Sequence, residues 1–141
     1  MITEDYVSFE TAKLLKEKGF DLPCHATYDT AVTGGKPKFS EYEVLNYFPY
    51  GMKNSDDKYS MVISAPTLQM AMKWLRTNFN VNPVPYAMSL GWAFDIFDLS
   101  DRDITGSKKL FSMDFPKKSD CFNSYEEAAE SAIRYYLENL I

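Results

Sequence analysis

Histidine and cysteine are scarce in this chain, and their scarcity excludes most of the chemistry that these side chains perform. His25 is the one histidine among 141 residues, so nearly every acid–base or nucleophilic scheme that uses imidazole has a single candidate. The two cysteines, Cys24 and Cys121, lie far apart and lack the spacing of a zinc site. Cys24 directly precedes His25, but neighbouring residues on a strand point to opposite faces. The sequence therefore predicts no cofactor and no catalytic thiol.

Long apolar runs are also missing. No stretch approaches the ~20 apolar residues that a membrane-spanning helix needs. The N-terminus, MITEDYVSFE, begins with acidic residues instead of the basic and apolar regions of a secretory signal. Two distant cysteines without such a signal are typical of reduced thiols in the cytoplasm, which is where we expect the protein.

Clustered basic charge is the third shortage, because the formal net charge is -5. Proteins that hold nucleic acid by its phosphates over a broad surface need clustered lysine and arginine. An acidic chain is also repelled by an anionic membrane surface. We therefore expect no membrane contact, and nucleic-acid binding only through a local basic segment.

Aromatic residues, by contrast, are abundant. The chain contains 10 Tyr, 10 Phe and 2 Trp, which make up 16% of its residues. Tyrosine rings pack while their hydroxyl groups stay hydrated, so they suit strands with one half-exposed face. Aromatic side chains are also frequent anchors of protein interfaces.

Two segments before residue 80 have the signals of amphipathic helices. Ser8 is expected to cap a first helix that ends at Gly19. A second helix is predicted over 65–79, where apolar residues recur at helical spacing. Its stripe consists of Leu68, Ala71, Met72, Leu75 and Phe79.

The last nineteen residues, NSYEEAAESAIRYYLENLI, predict a third helix. Ser124 and Glu127 have the spacing of a capping box. Glu130 and Arg134 stand four residues apart, the spacing of a favourable ion pair on a helix.

Shorter segments with alternating or continuous apolar residues predict strands. They cover residues 24–32, 39–50, 59–64, 84–88 and 92–99, with an edge strand over 111–115 and breaks at 33–37, 54–57 and 80–85. Together these elements predict one α+β domain over residues 1–141. We expect a mostly antiparallel sheet of about five or six strands, with three helices packed on it.

Met70 and Trp74 form an i, i+4 pair that lies away from the apolar stripe of the second helix. Such a pair needs cover, either from the irregular segment 100–122 or from a partner. We take it as the first candidate for an interaction surface, which a partner protein or a second copy of the chain would occupy.

Two lysine pairs flank an aromatic segment near the end of the chain. Lysine side chains interleaved with aromatic rings can bind single-stranded nucleic acid. Lysines along the edge strand of a sheet, in contrast, prevent it from pairing with β-strands of other molecules. The residues are Lys108, Lys109, Phe111, Phe115, Lys117 and Lys118. The acidity of the chain favours the edge strand.

Acidic residues between 95 and 105 suggest two further sites. Asp101, Asp103 and Thr105 copy the first oxygen ligands of a calcium loop, but Ser112 stands where that loop has its bidentate acid. A polar turn explains the same residues. Asp95 and Asp98, with Asp101, are the candidates for an enzyme built on carboxylates.

Three segments of the chain resemble small proteins encoded by phages and integrated elements of gut Bacteroides-type bacteria. They are YVSFETAKLLKEKGFD, APTLQMAMKWLR and NSYEEAAESAIRYYLENLI, about a third of the chain. The layout of a first helix, a sheet and a closing alanine-rich helix is also loosely similar to phage α-β-α sandwich domains. The resemblance implies a small intracellular accessory protein, and it implies no activity, cofactor or catalytic residue.

The sequence thus favours a non-enzymatic binding module that acts through protein–protein contacts. A nucleic-acid-binding accessory protein that uses residues 108–118 is the alternative. A carboxylate-based enzyme is the third hypothesis, and the sequence favours it least.

Overall fold

The computed structural model describes residues 2–30, 36–41, 53–56, 61–103, 106–114 and 116–141. This part of the chain contains three α-helices and six β-strands, and every strand pairing is antiparallel. The helices are α1 (Phe9–Glu17), α2 (Leu68–Phe79) and α3 (Tyr125–Asn139). The strands are β1 (Ala26–Asp29), β2 (Lys38–Glu41), β3 (Val62–Ser64), β4 (Val81–Met88), β5 (Gly91–Asp103) and β6 (Gly106–Ser112). The predicted α+β class is confirmed.

The six strands form two separate three-stranded sheets, a division that the sequence pattern did not reveal. The sheet orders are β2-β1-β3 and β4-β5-β6. The chain divides into two compact units, Met1–Thr67 and Leu68–Ile141, and each unit contains one of the sheets. That residues 1–141 form a single domain stays a prediction.

In the first unit, α1 begins and ends where the sequence predicted. The Ser8 hydroxyl accepts a hydrogen bond from the Thr11 N–H at 3.3 Å, and Gly19 lies in the left-handed region with φ 97°. Leu15 and Phe20 are fully buried in the core. The greater part of the predicted strand 39–50, like residues 33–35 of the predicted turn, lies outside the described residues.

A buried asparagine joins distant parts of the first unit. Asn54 stands in a 3-10 turn, at the place where the sequence predicted a turn. Its Nδ2 donates to the Phe20 carbonyl at 2.7 Å, and its Oδ1 accepts from the Ser64 N–H at 2.9 Å. The turn is therefore held to β3 and to the chain that leaves α1.

In the second unit, β4 begins three residues before the predicted strand. The predicted break at 80–85 is wrong because Asn80 alone reverses the chain, in a left-handed conformation with φ 54° that asparagine tolerates. Leu99 N–H donates to the Asn80 carbonyl at 2.7 Å, which fixes the hydrogen-bonding register. Pro83 and Pro85 then occupy non-hydrogen-bonded positions, where their nitrogens face away from β5. Prolines fit this edge strand and block its outer side.

Strand β5 is the centre of the second sheet, and it pairs on both sides. After β6 the chain leaves the sheet. It then returns to β5, where Phe122 pairs with Trp92 in an isolated antiparallel bridge. Gly91 stands where this return crosses β5, with φ 141°. The even-numbered residues Phe94 and Ile96 point to one face of the sheet and the odd-numbered residue Asp95 to the other.

Candidate functional site

Helix α3 supplies one side of the candidate site, and its capping signals position it. The Ser124 hydroxyl accepts from the Glu127 N–H at 3.1 Å, and the Glu127 carboxylate accepts from the Asn123 N–H at 3.0 Å. The predicted helix start is therefore confirmed. The buried stripe of α3 consists of Ala128, Ala129, Ala132, Ile133, Tyr136 and Leu137.

Four aromatic rings gather between α3 and the even-numbered face of β5. Phe94 stacks on Phe111 and on Phe122, with ring centroids 5.3 and 6.0 Å apart. Tyr135 of α3 lies 4.1 Å from the Phe111 ring and 6.3 Å from the Phe94 ring. The cluster brings together β5, β6, the returning segment at Phe122, and the final helix.

A groove of about 290 Å³ opens beside this cluster. Phe94 and Phe122 line it from the sheet side. The α3 side chains that line it stand at i, i+3, i+4 and i+7, one face of the helix. They are Ser131, Arg134, Tyr135 and Glu138. The groove thus combines aromatic walls with a hydroxyl group and an ion pair at its rim, the composition expected of a small binding site.

Arg134 forms the ion pair at the rim with Glu138, not with the predicted Glu130. Its Nε and Nη2 donate to the same oxygen, Glu138 Oε1, at 3.3 and 3.1 Å. Glu130 lies four residues before Arg134 and Glu138 lies four residues after it, so spacing alone does not decide which glutamate pairs with the arginine. Both side chains remain more than 40% exposed, at 43% and 44%, so the pair itself adds little to stability.

The opposite, odd-numbered face of β5 carries a polar network around a buried carboxylate. Asp95 Oδ1 accepts from the Ser112 hydroxyl at 2.8 Å and from the Tyr86 hydroxyl at 3.4 Å. Asp95 Oδ2 lies 3.3 Å from Lys109 Nζ. The Ser112 hydroxyl also lies 2.8 Å from Asp114 Oδ1. Burial, followed by the charge of Asp95, raises the pKa of Tyr86.

Two of the three carboxylates proposed for an enzyme, those of Asp95 and Asp98, do not converge. Asp98 stands on the opposite face of β5 from Asp95, because they are three residues apart on a regular strand. Asp98 Oδ1 accepts from the N–H and the hydroxyl of Ser100, a local turn-like contact. The side chain of Asp101 lies outside the described part of the structure. The sequence did not identify Ser112 and Lys109 as partners of Asp95. The one available sign was the period-two spacing of Ser112 and Asp114, which is typical of a strand.

The basic and aromatic residues of segment 108–118 are also separated. Lys109 is held by Asp95 and lies 5.9 Å from the ring of Phe97, on the odd-numbered face. Phe111 pairs with Ile96 and turns towards α3 on the other face. Lys108, Lys117 and Lys118 are exposed, and Phe115 lies outside the described residues. The described residues of the segment therefore do not present one interleaved surface, the alternative that the sequence favoured less, and β6 lies at the edge of its sheet.

Trp74 is not an exposed anchor. It is 6% exposed, and Phe79 of the same helix lies edge-on against it with ring centroids 5.2 Å apart. Met70 is half-buried. The pair therefore does not offer two exposed side chains to a partner, because the buried face of α2 is wider than the stripe read from the sequence and includes Trp74.

Two of the predicted calcium ligands, Asp101 and Asp103, have a described backbone. The backbone of Asp101 and Asp103 belongs to β5, and Asp103 pairs with Gly106. This extended backbone differs from the tight loop that a calcium site of this type requires. Thr105 lies outside the described residues. In the part of the chain that the structure describes, no group of three or more His, Cys, Asp and Glu residues is arranged to hold a metal ion.

A second aromatic cluster lies in the first unit. Phe39 contacts Tyr6 and Tyr28, with ring centroids 5.2 and 5.4 Å away, and is 41% exposed. The Tyr28 hydroxyl donates to the Val7 carbonyl at 2.7 Å, and the Tyr6 hydroxyl donates to Glu41 at 2.9 Å. Burial and the Glu41 carboxylate raise the pKa of Tyr6 to about 12. Because both hydroxyls bond within the unit, this cluster is well explained by its role in holding β1 and β2.

Cys24 is a buried thiol whose surroundings suppress its reactivity. It is 2% exposed, and its Sγ donates to the Leu22 carbonyl at 3.5 Å. Burial raises its pKa to about 12. Cys121, in contrast, is partly exposed, and both cysteines are free thiols.

The two cysteines are expected to react with a thiol reagent at very different rates. At pH 8 Cys24 should react at least about a hundredfold more slowly than the partly exposed Cys121, because only the thiolate is reactive and the buried Cys24 stays protonated. A time course with Ellman's reagent on the folded protein measures both phases. A Cys121→Ser variant isolates the slow phase, and a fast reaction of that variant would contradict the expectation.

Comparison of the chain with protein-family models, curated proteins and solved structures found no match. Among the described residues, no helix is long and apolar enough to span a membrane.

Proposed function

We propose that the chain is a non-enzymatic binding module that takes a segment of a partner protein into the groove beside α3. The observation that carries the proposal is the groove of about 290 Å³, walled by Phe94, Phe122 and Tyr135. Of these rings, Phe122 and Tyr135 are half-buried and stay accessible, and accessible aromatic side chains in a concave site are frequent anchors of protein recognition. We take the groove in place of the Met70 and Trp74 pair, since Trp74 is buried.

The non-enzymatic part of the proposal rests on how the reactive groups are used. Burial keeps the Cys24 thiol protonated. Asp95, which is more buried than Asp98, is engaged by Ser112 and Lys109. Both groups are therefore well explained as parts of the fold.

We also propose a cytoplasmic location and a phage or mobile-element origin. Free thiols such as Cys24 and Cys121 suit a reducing compartment. The origin rests on the resemblance of the three segments quoted above. The genes beside this one test it: structural or replication genes of a phage or an integrated element would support the origin, and ordinary metabolic neighbours would argue against it.

Filling the groove is expected to abolish partner binding. A Ser131→Trp variant places an indole ring where the partner segment would lie, whereas Asn139→Trp adds the same ring to an exposed position of α3 outside the groove. Peptides selected from a random library on the unmodified protein should lose at least tenfold in affinity for Ser131→Trp and keep their affinity for Asn139→Trp. Peptides that bind all three proteins equally, or a selection that enriches none, would contradict the proposal.

A further inference from the structure

We infer that the partner segment of the groove carries one aromatic or branched apolar side chain flanked by lysine or arginine. This inference rests on the proposed function, and it adds the chemistry of the occupant. It is drawn from the size of the groove, the charges on α3, and the way in which the ion pair at the rim uses its atoms.

The apolar anchor follows from the walls. Phe94 is only 4% exposed, so its accessible edge lies at the bottom of the groove and not on an open surface. Phe122 and Tyr135 are half-buried on either side. A cavity of about 290 Å³ accommodates one large side chain, and aromatic rings favour another ring in an edge-on or offset position.

The basic flanks follow from the charge of α3. The helix contains four glutamates and one arginine. Glu127 stands one turn before Ser131 on the groove-lining face, and Glu138 lines the far end. An anchor residue placed between them would have the carboxylate of Glu127, which is bonded to the Asn123 N–H, on one side and the Arg134–Glu138 ion pair on the other. The helix has more glutamates than arginines, so an acidic segment would be repelled by its net negative charge.

The ion pair at the rim reinforces this asymmetry. Arg134 directs both of its bonds to Glu138 Oε1, so the charges of these two residues compensate each other and the negative charge of α3 comes from its other three glutamates. The other carboxylate oxygen of Glu138, Oε2, receives no protein hydrogen bond in the described structure and is open to a donor. Lysine and arginine carry only donors, which suits this oxygen. A nucleic-acid strand would bring phosphates towards the same glutamates and towards a chain of net charge -5.

A pair of peptides that differ only in charge tests the inference. Ac-Lys-Gly-Trp-Gly-Lys-amide and Ac-Glu-Gly-Trp-Gly-Glu-amide are titrated into the protein at 20 mM and 500 mM salt, and a dT₁₀ oligonucleotide is titrated in parallel. Binding is followed by calorimetry and by the amide NMR signals of ¹⁵N-labelled protein. At low salt the basic peptide should bind roughly five- to tenfold more tightly, and the difference should shrink at high salt because exposed charges are screened.

Matched charge variants locate the effect. Glu138→Gln should reduce the preference for the basic peptide about threefold, whereas Glu126→Gln removes the same charge from the same helix outside the groove and should leave the preference nearly unchanged.

Each other outcome overturns a different statement. If both peptides bind equally and both lose binding to Ser131→Trp, the groove binds segments but the charge inference is wrong. If neither peptide binds at millimolar concentration, the proposed function itself is overturned. If dT₁₀ shifts the signals of the groove residues and the basic peptide does not, the occupant is a nucleic-acid strand and the inference is wrong.

Discussion

Replacement of Gly91 by alanine is expected to lower the free energy of unfolding by roughly 2–5 kcal/mol, through backbone strain and a steric clash. Gly91 has φ 141°, a conformation that residues with a Cβ atom rarely adopt. An added Cβ would lie 2.9 Å from Cys121 Cβ and 2.9 Å from the Phe122 carbonyl oxygen. Neither atom is the end of a flexible side chain, so the backbone itself must shift.

The clash also involves Phe122, which forms one wall of the groove. Trp92 and Phe122 exchange two backbone hydrogen bonds, of 2.9 and 2.8 Å, immediately beside Gly91. If the alanine methyl group pushes this segment away, the Phe122 ring moves with it and the groove loses one wall. We therefore expect the Gly91→Ala protein to lose peptide binding even where it remains folded.

Gly106→Ala is the matched control for this experiment. Gly106 also has a positive φ, 124°, but an added Cβ would meet no atom within 4 Å. Its replacement should cost only the conformational strain, about 1–2 kcal/mol. Urea unfolding followed by tryptophan fluorescence and far-UV circular dichroism measures both losses. Equal losses in the two variants would contradict the role given to the close approach at Gly91.

The parts of the fold that depend on neighbouring residues were predictable. The caps at Ser8 and Ser124, the left-handed Gly19 and the buried stripe of α2 each follow from side chains within a few residues of one another. The structure confirms the caps and Gly19, and it buries four of the five residues of the predicted α2 stripe, while Phe79 is half-buried. Local hydrogen bonds and helical spacing determine these features, so they can be predicted from the sequence alone.

The parts that depend on distant residues were not predictable. The division into two sheets requires knowing that β1 pairs with β2 and β3 only. The start of β4 required a left-handed Asn80, although the alternation of Pro83 and Pro85 was a usable sign of an edge strand. The width of the buried face of α2, which includes Trp74, depends on packing.

The groove illustrates the same limit. Ser131, Arg134, Tyr135 and Glu138 could have been recognised as one helix face from their spacing alone. The opposite wall of the groove could not be recognised in this way. It depends on the pairing of Phe122 with Trp92, which are thirty residues apart, and no turn signal marks that pairing. Helix spacing thus predicts half of the site, and sheet topology supplies the other half.

The second large effect is expected in the first unit, where Asn54→Ala should lower the free energy of unfolding by roughly 2–4 kcal/mol. Asn54 is 7% exposed, and its amide satisfies the Phe20 carbonyl and the Ser64 N–H. Alanine leaves both backbone groups without these partners, at a cost of about 1–3 kcal/mol for each buried group.

Two further variants separate this hydrogen-bonding effect from a loss of packing. Asn54→Asp has the same shape and keeps an acceptor for Ser64, but its carboxylate faces the Phe20 carbonyl and should destabilise at least as much as alanine. Asn139→Ala removes an exposed asparagine that donates to the Tyr135 carbonyl, and it should cost less than about 0.5 kcal/mol.

Hydrogen exchange is the most direct measurement of the Asn54 contact, because the first unit contains neither tryptophan. The Ser64 amide should lose its protection in both Asn54 variants and keep it in Asn139→Ala. Thermal unfolding followed by circular dichroism gives the loss in stability. A Ser64 amide that stays protected in Asn54→Ala would mean that another acceptor replaces the side chain, and that Asn54 does not hold the turn to β3.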